Sequence, residues 1–302
     1  MSDSLRSTLP LHGALRKLAN SVIVRLLHFI GYYVLLKRSG TRLTRIAGFE
    51  LTIRPTVYDP RYYRAPAYFA EFIGGLNLSG KTVADVGTGS GIQALAAARA
   101  GAPTVVAIDV NPNAAITAAA NARANGFEHC VFPVASNLFL AITPRPQFDV
   151  ILTNPPFCDG RAWDVADRAW RAGPQYKDIA PLFEQARRRL TPDGVMYLIL
   201  SSHSDLELVG SLIRRAGFEV RVISERRVFF ETLTIYELRP AAWVRIDAKC
   251  LSGHQDGFAE PIKTNALFRL RSCLKSELYG NRNDRRGVET SSRQEDIPCC
   301  AR

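Results

Sequence analysis

The stretch Val83-Ala-Asp-Val-Gly-Thr-Gly-Ser-Gly91 decides how the chain folds. A short apolar run, Val83–Val86, gives way to three glycines in G-x-G-x-G spacing and then to the alanine-rich Ile92–Ala100. A short apolar run bounded by glycine reads as a buried strand, and the alanine-rich stretch reads as a helix. Glycines at 87, 89 and 91 let the backbone turn tightly and let a ligand approach without Cβ obstruction. The N–H groups opening the following helix favour a carboxylate or phosphate. Nicotinamide and flavin folds carry G-x-G-x-x-G, which would put the third glycine at position 92, where this chain has Ile.

Outward from the loop, apolar runs and helical stretches alternate. Strands are expected at Val105–Val110, Val131–Val134, Phe148–Thr153 and Val195–Leu200. Helices are expected at Asn113–Asn125, at Ile179–Leu190 (stopped by Pro192-Asp193-Gly194) and at Leu206–Ala216. Phe218–Ile223 and Phe229–Glu237 follow as strands with only Glu225-Arg226-Arg227 between them, which requires an antiparallel pair. Continuous apolar strands alternating with helices give a parallel sheet covered on both faces. The expected fold is α/β: a doubly wound, Rossmann-like, seven-stranded, mostly parallel sheet with an antiparallel last strand, plus an N-terminal helical arm. Its ligand site falls where the ends of the first and fourth strands face each other. Upstream, Thr44–Arg54 reads as a short hairpin or edge strand turning at Gly48. Pro55 and Pro60 then punctuate a linker bearing Tyr58, Tyr62 and Tyr63, and a helix covers Pro66–Ile73, ended by Gly74-Gly75.

The chain carries 39 Lys and Arg against 28 Asp and Glu, a net charge of +11, but the excess is uneven. Residues 1–50 hold eight basic and two acidic side chains, whereas 79–240 hold seventeen and sixteen. Three segments follow: a basic helical arm over 1–50, a main domain over 51–240, and an extension over 241–302 that is polar and partly disordered. The arm suits an anionic partner or a solubilising role. Its apolar run Val22–Leu36 is fifteen residues long and holds Arg25 and His28, short of the ~20 needed to span a bilayer. A helix packed on the main domain is favoured over one lying on a membrane surface. Six scattered cysteines without a C-x-x-C pair point to a reducing cytoplasm and to no metal site.

Asp109 ends the second strand eighteen residues past Gly91, where an acid can accept both ribose hydroxyls or cap the next helix. Asp85 lies inside an apolar strand, where a buried carboxylate needs partners. Orienting the glycine loop or meeting the ligand's amino group would supply them. The most specific element is Phe148-Asp-Val-Ile-Leu-Thr-Asn-Pro-Pro-Phe157. A strand ends in Asn154, and two prolines fix the backbone in a rigid, extended path. Neither proline offers an N–H, so the groups facing a ligand are acceptors, the Asn154 amide oxygen and the Pro155 carbonyl. Held by both, a planar NH2 group would present its nitrogen in one direction. Phe157 supplies a flat face for stacking. The long segment Cys158–Lys177, rich in Trp163, Asp167, Arg168 and Trp170, reads as a lid or substrate wall.

The glycine loop with Asp109 resembles motif I of the class I methyltransferases, and Asn154-Pro155-Pro156-Phe157 resembles motif IV of those that modify glutamine amides or exocyclic amines. Within that clan the chain resembles the small-domain enzymes related to glutamine N5-methyltransferases, over roughly 52–238. The resemblance implies S-adenosylmethionine as cofactor. Asp85, Gly87, Thr88, Gly89 and Gly91 would hold its methionine part, Asp109 its ribose, and Val110 and Asn137 its adenine. Asn154, Pro155, Pro156 and Phe157 would be catalytic, with Tyr58, Trp163 and Trp170 as substrate-contact candidates. It implies N-methylation of a protein glutamine or a nucleic-acid exocyclic amine, with a small-molecule nitrogen or a catalytically silent binding module as the alternatives. The family's usual Tyr after the two prolines is Phe157 here, and its Gly-Gly-x-Asp-Gly-like stretch reads Ala172-Gly-Pro-Gln-Tyr176, which leaves the acceptor open.

Overall fold

The computed structural model describes residues 32–33, 40–229 and 231–241. Residues 1–39 of the expected helical arm, apart from Tyr32 and Tyr33, and the extension beyond 241 lie outside the described residues. An antiparallel hairpin comes first, β1 (Arg42–Ile46) and β2 (Phe49–Ile53), turning at Ala47-Gly48. Helix α1 (Arg64–Gly74) leads to the alternating unit: β3 (Thr82–Val86), α2 (Ile92–Arg99), β4 (Thr104–Asp109), α3 (Pro112–Ala124) and β5 (Val131–Ala135). Then come β6 (Phe148–Thr153), α4 (Ala180–Arg187), β7 (Leu190–Ser201), α5 (Leu206–Arg215), β8 (Phe218–Val228) and β9 (Glu231–Pro240).

The seven strands order as β5-β4-β3-β6-β7-β9-β8. All pairs from β5 to β7 are parallel, and β9 runs antiparallel to both β7 and β8. The last strand therefore inserts between its two predecessors. Alternate residues of the strands feed two cores, as the period of two demands. Val83, Val105 and Val150 face α1, α2 and the hairpin. Ala84, Ile108 and Ile151 face α4 and α5. Every residue of α2 from Ile92 to Ala98 is buried, and its run of alanines lets it lie close between the sheet and its neighbours.

Two boundaries differ from the sequence reading. The helix expected to reach Leu190 ends at Arg187, and Pro192-Asp193-Gly194 lies inside β7. Register against β6 jumps between Phe148↔Leu190 and Val150↔Val195, so these residues form a bulge, where a strand admits proline. Likewise Glu225-Arg226-Arg227 is not a turn: β8 runs through it to Val228. Edge strands carry charge, and here Arg226 pairs with Glu71 while Glu225 accepts from Thr234.

The hairpin is not part of the large sheet; asparagines of α3 hold it. Asn121 Oδ1 accepts from Thr52 N (2.7 Å), and its Nδ2 donates to Thr52 O (3.0 Å) and to Ser90 O (2.8 Å). One helical turn later, Asn125 makes the same two-way pair with Glu50 N and O. Residues i and i+4 of a helix are about 6 Å apart along the axis, close to the spacing of residues i and i+2 in a strand. Two side-chain amides thus stand in for a neighbouring strand along the edge of β2. Asn111 and Asn113 extend the arrangement, donating to Thr56 and Pro55.

Candidate active site

The carboxyl ends of β3 and β6 meet at the switch point of the sheet. Val86 pairs with Thr153, and Thr153 Oγ1 donates to Val86 O at 2.9 Å, tying the two strand ends together. The glycine loop leaves one end and Asn-Pro-Pro-Phe the other. A Cβ on Gly87 would come within 4.0 Å of the Asn154 carbonyl oxygen, so the two elements adjoin. Between them opens a cleft lined from both strand ends. Gly87, Thr88, Gly89, Asp109, Val110, Asn137, Asn154, Pro155, Pro156, Phe157 and Tyr58 line it.

Gly87, Gly89 and Gly91 have φ of 79°, 53° and 84°, the left-handed region that glycine enters without strain. Their roles differ. No described atom lies within 4 Å of a Cβ built at Gly89, which opens on the cleft, whereas at Gly91 it would meet Ala118 Cβ at 3.0 Å. The third glycine therefore lets the start of α2 pack on α3. Gly87 N and Thr88 N donate to Ile108 O, fixing the loop to β4.

Asp85 is fully buried beneath the loop. Its Oδ2 accepts from Thr88 Oγ1 (2.6 Å) and Ala94 N (3.1 Å), and its Oδ1 has no partner among the described residues. Burial pushes its carboxyl up to about 7 against those two bonds. An orphaned buried oxygen below a glycine cradle fits a ligand carrying a cationic amino group. The raised value makes the protonated carboxyl the better tolerated form. Stability from this group is full below its unfolded value near 3.8 and is lost as pH rises through about 7. Asp85→Asn should therefore gain on the wild type as pH goes from 4 to 7, by roughly 2–4 kcal/mol. Denaturant unfolding of both proteins across that range checks it, and a pH-independent difference would refute it.

Asp109 does not cap α3; Asn111 does, accepting from Asn113 N. Asp109 Oδ2 accepts from Gly89 N (2.9 Å) and Oδ1 from Asn111 N (2.8 Å), so it braces the loop and retains lone pairs for a ligand. Burial raises its carboxyl, opposed by those bonds and by the Arg168 charge. Asn154, half-buried, makes no side-chain hydrogen bond among the described residues. Phe157 is fixed through its carbonyl, which accepts from Tyr176 Oη at 2.6 Å, and Asp205 N donates to the same hydroxyl.

The segment behind the motif folds back as a strap. Cys158 N donates to Trp170 O and Ala172 N to Cys158 O, both at 2.9 Å. Buried Asp167 organises the turn, accepting from Trp163 N and pairing with Arg171. Trp170 is buried beneath Tyr58 and Tyr63, which stack at 4.3 Å, and Trp163 is half exposed, edge-on to Tyr32. Neither tryptophan lines the cleft. Residues that the sequence reading did not assign do line it, among them Thr56, Gln93, Leu138 and Arg168. Nothing in the local sequence signals the tie between Tyr176 and Phe157.

Among the described residues no group of three His, Cys, Asp or Glu could hold a metal ion, and no helix is long and apolar enough to cross a membrane. In comparisons with known proteins, a candidate protein N5-glutamine methyltransferase of Methanocaldococcus jannaschii is 28% identical over 198 residues, 64% of this chain and 96% of that protein. The ribosomal protein L11 methyltransferase of Actinobacillus succinogenes is 42% identical over 183 residues, 59% of this chain and 48% of that one. A solved structure, the T. thermophilus 16S rRNA N2 G1207 methyltransferase with AdoMet and guanosine, superposes with a TM-score of 0.50 at 23% identity. That match covers 66% of this chain and 50% of that one, and it shows the shared Rossmann-like fold. The chain thus spans about half the length of these last two proteins. Residues 72–230 match the model of the methyltransferase small domain, more than half of the sequence. With that match, the chain belongs to the methyltransferase small-domain family and is an S-adenosylmethionine-dependent methyltransferase.

Proposed function

We propose that this enzyme methylates a planar nitrogen, a protein glutamine amide or an exocyclic amine of a nucleic acid, with Asn154 as the group that orients it. The observation carrying this is Asn154 in the lining of the cleft, its backbone carbonyl next to Gly87 and its side-chain amide without a described partner. S-adenosylmethionine supplies a methyl group on a sulfonium. Asp85, Gly87, Thr88 and Gly89 would hold its methionine end; Asp109, Val110 and Asn137 would hold its adenosine. Gly91 keeps the loop in place from behind.

The Asn154 carboxamide oxygen and the Pro155 carbonyl accept from the two N–H bonds of the acceptor. This turns the nitrogen lone pair toward the methyl carbon, which is catalysis by orientation. With S-adenosylmethionine bound there, the N–C bond would form as the C–S bond breaks, the sulfur keeping the electron pair, and the nitrogen would lose one proton to water. Pro156 stiffens the path of Asn154. Phe157 and Tyr58 pack against the acceptor plane, while Trp163 and Trp170 support that wall as parts of the strap. Burial raises the Tyr58 hydroxyl well above its usual value, so it stays a neutral partner.

Residues 51–240 form the catalytic unit, and β1 pairs with it from the end of the basic arm. The arm's charge and the named activities of the relatives support a protein or RNA acceptor over a small molecule. The free thiols of Cys130 and Cys158 fit a reducing cytoplasm. The test is transfer of labelled methyl from S-adenosylmethionine into fractionated protein, RNA and metabolite pools. Label in the protein or RNA fraction is expected. Binding of the cofactor with label in no pool would sink the proposal.

A further inference from the structure

Arg168 belongs to the strap, yet it lines the cofactor side of the cleft. Its Nη2 donates to Asn137 Oδ1 at 3.3 Å, and its charge lowers the Asp109 carboxyl against the effect of burial. No carboxylate lies within ion-pair distance of it among the described residues, so most of its five donors are unspent. It is thus an arginine reaching from the acceptor wall to the two side chains assigned above to adenine and ribose.

From this juxtaposition we infer that Arg168 is a positioning residue for the adenosine half of S-adenosylmethionine, orienting the Asn137 amide so that its oxygen faces the adenine amine. The inference rests on the cofactor reading given under the proposed function. An asparagine amide has two ends of almost equal shape, and what bonds it decides which end faces a ligand. A guanidinium can bond only the oxygen. That oxygen keeps a second lone pair for the adenine amine, while the NH2 end is turned away. Because the strap is paired through Cys158 to the Asn-Pro-Pro-Phe element, Arg168 also ties the adenosine site to the acceptor wall.

Affinities of the full chain for S-adenosylhomocysteine and for S-inosylhomocysteine, whose base carries a carbonyl where adenine has its amine, give the test. The wild type should prefer the adenine compound, since the Asn137 oxygen would face a like oxygen in the other. Arg168→Ala should bind S-adenosylhomocysteine about tenfold more weakly, with the preference between the two compounds reduced to about the same degree. Arg168→Lys, which keeps the charge and one reaching donor, should recover part of that preference. Arg168 is only partly buried, so its variants should keep the wild-type midpoint of unfolding. A general loosening of the strap would weaken both compounds equally and overturn the inference. So would unchanged affinities in Arg168→Ala. A wild type that binds neither compound would instead refute the cofactor reading itself.

Discussion

Replacing Asn154 by alanine should lower kcat by about two orders of magnitude and leave the affinity for S-adenosylhomocysteine within about twofold of wild type. The split follows from position. Asn154 stands on the β6 side of the switch point, while the proposed cofactor contacts come from the ends of β3, β4 and β5. Its side chain supports nothing else among the described residues, so truncation removes an acceptor without opening the fold. Pro155 remains as a single acceptor, and one hydrogen bond leaves the NH2 plane free to rotate. Asn154→Asp keeps an acceptor oxygen in the same place and should retain more activity than the alanine variant. Single-turnover kinetics with saturating cofactor separates the chemical step from binding. A wild-type rate in Asn154→Ala would remove the residue from the mechanism.

The largest effect on stability is expected at Asn121, which joins the hairpin to Ser90 of the glycine loop. It is fully buried, and its amide serves Thr52 N, Thr52 O and Ser90 O together. Alanine would leave three backbone groups short of partners at once, at roughly 1–3 kcal/mol for each one buried. Some of that returns if water enters, which puts the expected loss at roughly 3–5 kcal/mol. Asn121→Asp should be no better, because a carboxylate would face two carbonyl oxygens without a donor for either. Urea unfolding measures both, and a loss under about 1 kcal/mol in Asn121→Ala would mean that the hairpin is held by its apolar face alone.

The sequence carried the parts of the fold that depend on local pattern. Val83–Val86, Phe148–Thr153 and the glycine loop are read from apolar runs and from the backbone freedom of glycine, and the structure puts them where expected. Its misreadings share one cause: a residue's usual preference was overridden by its neighbours in space. Pro192-Asp193-Gly194 has the composition of a turn but is a bulge facing Phe148 and Val150. Glu225-Arg226-Arg227 looks like a loop but lies on an edge strand supported by Glu71 and Thr234. In the site, Asp85, Asp109 and Asn154 were legible because each sits at a fixed offset from a strand end. Arg168, Tyr176 and the asparagines of α3 were not, since their partners lie 19 to 75 positions away and nothing local announces them.

The strand order has a consequence for how this molecule acquires its shape. β3 and β6 are neighbours in space, but their paired residues, such as Val86 and Thr153, are 67 positions apart. The cleft is therefore the seam where an earlier and a later half of the chain join. Such distant pairings are slow to form, and a half folded by itself would hold only one wall. A ligand spanning the seam, touching Gly89 on one side and Asn154 on the other, recognises only the joined state. Its binding energy then adds directly to the cohesion of the two halves. Cofactor supply would in this way govern the lifetime of the folded enzyme as well as its turnover.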